Sequence, residues 1–312
     1  MTSSKKKSLL KVLKVSIIIV LVFITVSMIA TVFIYNGVFQ TYRENTDNMS
    51  VAVSADVASY SSHGYMSGEN KLSGHLYETN SDSVIIIIPG FHAETDAFIP
   101  YVDEFCRNGF DVFTFDCTGH GESGGNSSVG FPQVIKDLDA TLEYISEKSS
   151  YKNIYLFGHS RGGYAACCAL KDNKNISAVV SVSGVNSAMD GIMAYSTDTI
   201  GPIAYGNYPF LWIYQSMLFG TELSSRSASD CIQDTDVPVL IIQGKHDEQI
   251  PSDDFSVYSH MEDADSSNAK LVLYDNPGCD GHTTILFPQD GTANPDITSY
   301  AVNFFKNNIA KE

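Results

Sequence analysis

The residues Val15 to Tyr35 form a run of 21 without a single charge, built mostly of Ile, Val, Leu and Phe. At about 1.5 Å of rise per residue, a helix of that length spans a hydrocarbon core of about 30 Å. No polar face interrupts the run at helical spacing, which separates it from the core helix of a soluble protein. Lys5, Lys6, Lys7, Lys11 and Lys14 precede it, and no acid occurs before Glu44. Basic flanks stay on the cytoplasmic side, so the expected topology is single-pass, with the N-terminus cytoplasmic and the body extracytoplasmic. A cleaved signal peptide is the alternative. Its apolar core would run for about 7–15 residues before a small-x-small site. This run is longer, and Met28-Ile29-Ala30 makes a poor cleavage site. The expected organisation is a basic tail over 1–14, a transmembrane anchor over 15–35, a stalk over 36–50 and one domain over 51–312.

The domain is strongly anionic. From residue 36 onward, thirty-six acids face fourteen lysines and arginines, against a net charge of −17 for the whole chain. Nucleic-acid binding needs basic surface to meet phosphates, so that class is excluded as a partner. At 44% apolar and 18% charged residues, the 312-residue chain is too apolar for a disordered one.

The body alternates strand and helix signals. Val84 to Ile88 is a continuous apolar run ended by Pro89-Gly90, the pattern of a strand buried on both faces. Further strands are predicted over 110–115, 154–157, 178–182, 237–242 and 270–274. Helical patterns lie over 97–108, 131–147, 161–172, 252–261 and 296–309. This rhythm implies right-handed crossovers and a doubly wound, mostly parallel sheet. Segments 51–58 and 71–78 suggest a leading antiparallel pair. The stretch 185–235 breaks the rhythm and is rich in aromatics, Trp212 and Phe219 among them. It reads as a short cap inserted between two strands, either a lid over a site or a satellite core.

Gly158-His159-Ser160-Arg161-Gly162 matches G-x-S-x-G, in which a serine sits on a sharp strand-to-helix turn. The glycines are needed because a Cβ there would meet neighbouring backbone. Gly121-Glu122-Ser123-Gly124-Gly125 is a second match, so the pattern alone is weak. Ser160 directly follows an apolar strand and precedes a helix of small residues, whereas Ser123 has neither. Ser160 is therefore the expected nucleophile and Ser123 a loop serine.

A serine hydroxyl needs a base, and the base needs an acid to orient it. In this arrangement the chain order is Ser, acid, His. Asp247 follows the strand at 237–242, where ligands of such sheets gather, with Glu248, Asp253 and Asp254 as possible substitutes. His282 follows the last strand in a turn-rich loop, whereas His260 falls within a helical pattern and His159 and His246 are expected to pack or cap. Oxyanion donors are expected from the backbone amides of Arg161, next to the nucleophile, and of Phe91, in the loop after 84–88.

Together these residues resemble the α/β-hydrolase superfamily, most closely its serine aminopeptidase-like or lysophospholipase-like branch. Asp116-Cys117-Thr118-Gly119-His120-Gly121-Glu122-Ser123 resembles the D-x-x-G-x-G-x-S loop after the fourth strand of many members, a loop that is usually structural. Gly244-x-x-Asp247 with Ile250-Pro251 resembles the acid-bearing loop. The resemblance covers about residues 50–310. One departure is Pro89-Gly90, where many members have His-Gly. It implies an α/β-hydrolase fold and acyl transfer to water through an acyl-enzyme, on a small acyl ester or a peptide.

The leading expectation is a membrane-anchored serine esterase. A peptidase of the same fold and a catalytically silent binding module are the alternatives, and the sequence fixes no oligomeric state. Neither C-x-x-C nor H-E-x-x-H occurs, so no metal or cofactor is expected. Of the six cysteines, Cys167 and Cys168 are expected in the core. Cys117 and Cys279 both fall in loops at the expected site, which makes a Cys117–Cys279 bridge an expectation to test.

Overall fold

The computed structural model describes residues 3–43, 57, 59–173, 175–251, 253–264, 266–288 and 291–309. Eight strands form one sheet: β1 (Ser59–Ser67), β2 (Asn70–Glu78), β3 (Ser83–Ile88), β4 (Asp111–Phe115), β5 (Asn153–His159), β6 (Ile176–Val182), β7 (Val239–Gly244) and β8 (Ala269–Tyr274). Their spatial order is β1-β2-β4-β3-β5-β6-β7-β8. β2 runs antiparallel to β1 and β4, and every other pairing is parallel. The chain steps from β3 out to β4 and then returns to the other side of β3 as β5. That reversal opens a crevice beyond the carboxyl ends of β3 and β5.

The strand runs are continuous because both faces of the sheet are covered. Val84, Ile86 and Ile88 of β3 join one core layer, while Ile85 and Ile87 join the other. The first layer packs against α3 (Gln133–Lys148), α4 (Arg161–Cys168), α5 (Ala188–Ile200), α7 (Ala228–Gln233) and α8 (Val257–Glu262). The second packs against α2 (Ile99–Arg107) and α9 (Pro295–Asn307), through Tyr101, Phe105, Ile297 and Phe305. All the side chains of β3 are buried, so truncation at Ile86 would cost about 2–5 kcal/mol.

Several elements differ from the sequence reading. The expected helix over 252–261 is the shorter α8, which Ser256 caps by accepting the Ser259 amide at 3.0 Å. The expected first strand over 51–58 lies largely outside the described residues. β1 begins at Ser59 and turns into β2 through Gly68-Glu69, with Gly68 at φ +58°. The 185–235 segment contains α5, α6 (Tyr208–Ser224) and α7, with a 3-10 turn over Gly201–Asn207 between the first two. It serves as satellite core and as cover at once: Met193 and Leu211 are buried, while Ile203 and Met217 are exposed.

The N-terminal helix α1 runs from Ser3 to Val38, so it starts before the apolar run and ends beyond it. Its Leu10–Val38 portion is long and apolar enough to cross a membrane and is almost wholly exposed. The described part of the expected stalk is not a free tether. Phe39 is buried, its carbonyl accepts the Ser128 amide at 3.0 Å, and Tyr42 exchanges backbone hydrogen bonds with Gly119 and Gly121. Polar composition concealed this docking, because it rests on two aromatic side chains, Tyr35 and Phe39, that find partners far along the chain.

The expected Cys117–Cys279 bridge is absent, and all six cysteines are free. Cys117 lies in the core layer on one face of the sheet and Cys279 packs against the layer on the other, so the sulfurs do not converge. Five of the thiols are buried and Cys279 is half-buried. A thiol reagent applied to the native protein is expected to modify Cys279 alone, and all six after unfolding. Recovery of a Cys117–Cys279 peptide under non-reducing conditions would contradict this arrangement.

Candidate active site

Ser160 joins β5 to α4 at φ +54° and ψ −118°, a backbone conformation that side-chain-bearing residues rarely adopt. The flanking glycines make the turn sterically feasible. A Cβ on Gly158 would stand 2.3 Å from the Gly162 carbonyl oxygen, and one on Gly162 would stand 2.1 Å from the Ile88 carbonyl oxygen. α4 therefore packs against the end of β3 at a distance only glycine permits. Ser160 is held by its own amide, which donates to the Val182 carbonyl at 2.9 Å.

Asp247 and His282 meet across two loops. His282 Nδ1 lies 2.9 Å from Asp247 Oδ2 and 3.0 Å from Oδ1, with both side chains buried. The other ring nitrogen is thereby turned away from the carboxylate. The amides of Gln249 and Ile250 donate to Asp247 Oδ1 at 3.0 and 2.7 Å, and Gln243 Nε2 donates to Oδ2 at 3.1 Å. Burial pushes the Asp247 carboxyl up, but the His282 hydrogen bond and charge and the Ile250 amide outweigh it. The net shift is below the ordinary 3.8.

Two further contacts set the histidine loop. His246 Nδ1 pairs with the buried Asp280 at 2.7 Å, which ties the loop of Asp247 to that of His282. His159 Nε2 donates to the His282 carbonyl at 2.9 Å. Burial, reinforced by the facing His282, pushes His159 down to about 3, so this ring is neutral near pH 7 and acts as a fixed donor. Sequence reasoning assigned His159 and His246 only to packing or capping. Their proximity to a buried partner depends on loop closure that spacing does not encode.

Ser160 and His282 line the same two cavities, which also share Val38, Phe91, Tyr195 and Gln249. One cavity, of about 350 Å³, is walled by Tyr35, Phe39, Phe131, Ile192 and Leu211. The other, of about 810 Å³, holds Glu94 and Asp96 together with His92 and Phe98. Sequence reading found neither the acidic pair nor the contribution of α1.

The expected oxyanion donors flank this junction. Arg161 is the first residue of α4, where a helix leaves its amide without an intrahelical acceptor. The Phe91 amide carries no backbone hydrogen bond among the described residues. The Arg161 side chain is buried beneath: it donates to the Gly90 carbonyl at 3.2 Å and lies 5.2 Å from the centre of the Phe91 ring. It fixes the Pro89-Gly90-Phe91 loop from inside. Burial, with the charge of Arg161 second, pushes nearby His120 down to about 3.

The substitute residues fall elsewhere. Glu248 accepts the His282 backbone amide at 3.2 Å instead of its ring, and His260 bonds within α8. Ser123 donates to the Asp116 carbonyl at 2.6 Å and accepts the Ser73 amide at 2.8 Å, which makes it a fastening of its loop. Asp116 accepts the amides of Thr95 and Glu122, so the D-x-x-G-x-G-x-S segment closes on itself.

A sheet of this order, with the strained serine after β5, the acid after β7 and the histidine after β8, defines an α/β-hydrolase scaffold. The fold is that of the α/β-hydrolases. A model of the serine aminopeptidase S33 family matches residues 79–194. An esterase of Pyrococcus furiosus superposes with a TM-score of 0.64 at 19% identity, covering 87% of this chain and 100% of the other. The Butyrivibrio proteoclasticus protein Est1E, with ferulic acid bound, superposes with a TM-score of 0.60 at 20% identity, covering 80% and 100%. Among curated proteins, protein phosphatase methylesterase 1 of Candida albicans is 31% identical over 101 residues, 30% of this chain and 28% of that one. The acylamino-acid-releasing enzyme of Mus musculus is 25% identical over 189 residues, 54% of this chain and 24% of that one. The chain thus spans about a quarter of the length of these two relatives.

The environment of Asp247 has a measurable consequence. Because the folded state lowers its pKa, the ionised carboxylate contributes stability that is complete above the unfolded value of 3.8. That contribution is lost as pH falls through the lower folded value. Urea unfolding of wild type and Asp247→Asn, followed from about pH 6 to pH 3, is expected to show a stability difference that narrows at the acid end. A difference constant across the range would contradict the lowered value.

Proposed function

We propose that this protein is a serine hydrolase that cleaves carboxylic esters through an acyl-enzyme. The observation that carries the reading is the joining of a strained, glycine-flanked Ser160 and a buried Asp247–His282 pair around one pair of cavities. Ser160 Oγ attacks the ester carbonyl while His282, through the ring nitrogen turned away from Asp247, takes its proton. Asp247 holds the imidazole tautomer and stabilises the imidazolium. The amides of Phe91 and Arg161 hold the oxyanion. The proton then passes to the departing alcohol, and water attacks the acyl-enzyme by the same route in reverse. The likeness to an esterase in fold and to a methylesterase in sequence supports this chemistry.

The protein works, on this proposal, as a single-pass membrane protein. α1 spans the bilayer, its lysines remain in the cytoplasm, and the domain lies outside. The −22 charge of the body opposes adhesion of its polar surface to anionic lipid.

A peptidase reading has one observation in its favour. Glu94 and Asp96 line the larger cavity beside Ser160, where a substrate amine would find a carboxylate. If amines are the natural substrates, Glu94→Gln lowers turnover of aminoacyl arylamides and spares neutral esters.

Ester turnover by the full chain in detergent tests the main reading. Ser160→Ala is expected to lower kcat by about 10⁶, and Asp247→Asn by about 10⁴ through the wrong tautomer. Turnover that survives Ser160→Ala in the folded protein would overturn it.

A further inference from the structure

We propose that α1 is part of the substrate site as well as an anchor. The hydrocarbon chain of a bilayer-resident, single-chain acyl ester lies between the end of α1 and the cap, and reaches Ser160 from the membrane side. This proposal rests on the serine-hydrolase reading above and names its substrate class.

The end of α1 is fixed against the cap. Thr31 Oγ1 donates to Asn207 Oδ1 at 3.0 Å, and Tyr35 Oη donates to Gln215 Oε1 at 3.3 Å. The Tyr35 ring packs edge-on to Tyr214 at 5.2 Å, and Phe39 packs on Phe91 and Phe131 at 5.3 and 5.9 Å. Gly130 is kept free of a side chain under this contact, since a Cβ there would meet Tyr35 Oη at 2.2 Å. Beyond the helix, Arg43 donates to the carbonyls of Gly121 and Ser123 at 2.7 and 2.9 Å. A simple tether needs none of these contacts.

The docked end supplies a wall of the apolar cavity. Ile34, Tyr35, Val38 and Phe39 face Ile192 and Leu211 of the cap across about 350 Å³ that opens on Ser160 and His282. That volume falls near the low end of small-molecule sites, roughly 300–1,000 Å³. With largely aliphatic and aromatic walls, it suits one hydrocarbon chain. The larger cavity, with Glu94 and Asp96, is left for the polar part of the ester.

The approach is apolar too. Ile203, Met217 and Tyr195 of the cap are exposed at 76%, 72% and 58%. Phe210 packs edge-on to Phe23, well inside the apolar run, at 6.3 Å. The cap surface is therefore continuous with the lipid-facing surface of α1. The occupant that fits both is the bilayer itself, and a lipid chain leaving it meets apolar side chains as far as the serine.

The test uses the full chain in phosphatidylcholine vesicles with p-nitrophenyl butyrate and laurate. Val38→Trp narrows the chamber and Val38→Ala widens it. Val38→Trp is expected to lower the laurate-to-butyrate ratio of kcat/KM by about tenfold or more, the effect of one displaced methylene, and Val38→Ala to raise it. Val38→Ala carries the test if the tryptophan variant does not fold. Laurate turnover is also expected to fall as inert phosphatidylcholine dilutes the substrate in the bilayer at constant bulk concentration. An unchanged chain-length ratio in the folded variants, or turnover that follows bulk concentration alone, would overturn the proposal while leaving the hydrolase reading intact. Wild-type protein that turns over neither ester and takes no fluorophosphonate on Ser160 would overturn the hydrolase reading itself.

Discussion

The structure turns on a contact between two pieces of backbone. Gly162, in the first turn of α4, lies so close to the Ile88 carbonyl at the end of β3 that a single added carbon would collide with it at 2.1 Å. This approach holds Ser160 at φ +54°, where it would not stay on local preference alone. The strain costs of order 1–3 kcal/mol and persists because β5, α4 and β3 are buried on all sides. In return the serine hydroxyl stands at the crevice where the strand order reverses, and the first amide of α4 stands beside it.

The rest of the site is arranged around that point by loops that brace one another. β7 delivers Asp247, β8 delivers His282, and three further contacts fix their relation: His246 to Asp280, Gln243 to Asp247, and His159 to the His282 carbonyl. Gln243, Asp247, His159 and Asp280 are buried, while the His246 ring stands exposed at the edge, so the two inner hydrogen bonds act where water does not compete strongly with them. On the opposite side, buried Arg161 fixes the Phe91 loop from beneath, and Phe91 in turn carries Phe39 at the end of α1. A continuous chain of packed groups therefore links the apolar N-terminal helix to the serine.

Much of this was legible in the sequence for definite reasons. The central strands showed as unbroken apolar runs because helices cover both faces of the sheet. Ser160 was separable from Ser123 because only one of them has a strand before it and a helix after it. Asp247 and His282 were reachable through chain order, and they do meet at 2.9 Å. What stayed hidden depends on contacts between distant segments. Thr31 and Asn207 are 176 residues apart, and Tyr35 and Gln215 are 180 apart, so no local pattern announces that the helix end docks on the cap. The polar stretch after Tyr35 resembled a stalk because Phe39 is one aromatic among turn-forming residues. The acidic pair at Glu94 and Asp96 was one of many in an anionic chain until the fold brought it beside Ser160.

The central claim is that Ser160, and no other serine, is an activated nucleophile. Its most direct measurement is mass spectrometry of the full chain after brief exposure to a fluorophosphonate, with tryptic digestion to locate the adduct. Ser160 lies in the short peptide of residues 153–161, bounded by Lys152 and Arg161, and Ser123 lies in a separate one. A single adduct on residues 153–161, lost when the protein is unfolded before exposure, is the result expected. Folded protein that carries no adduct, or carries it on Ser123, would contradict the account.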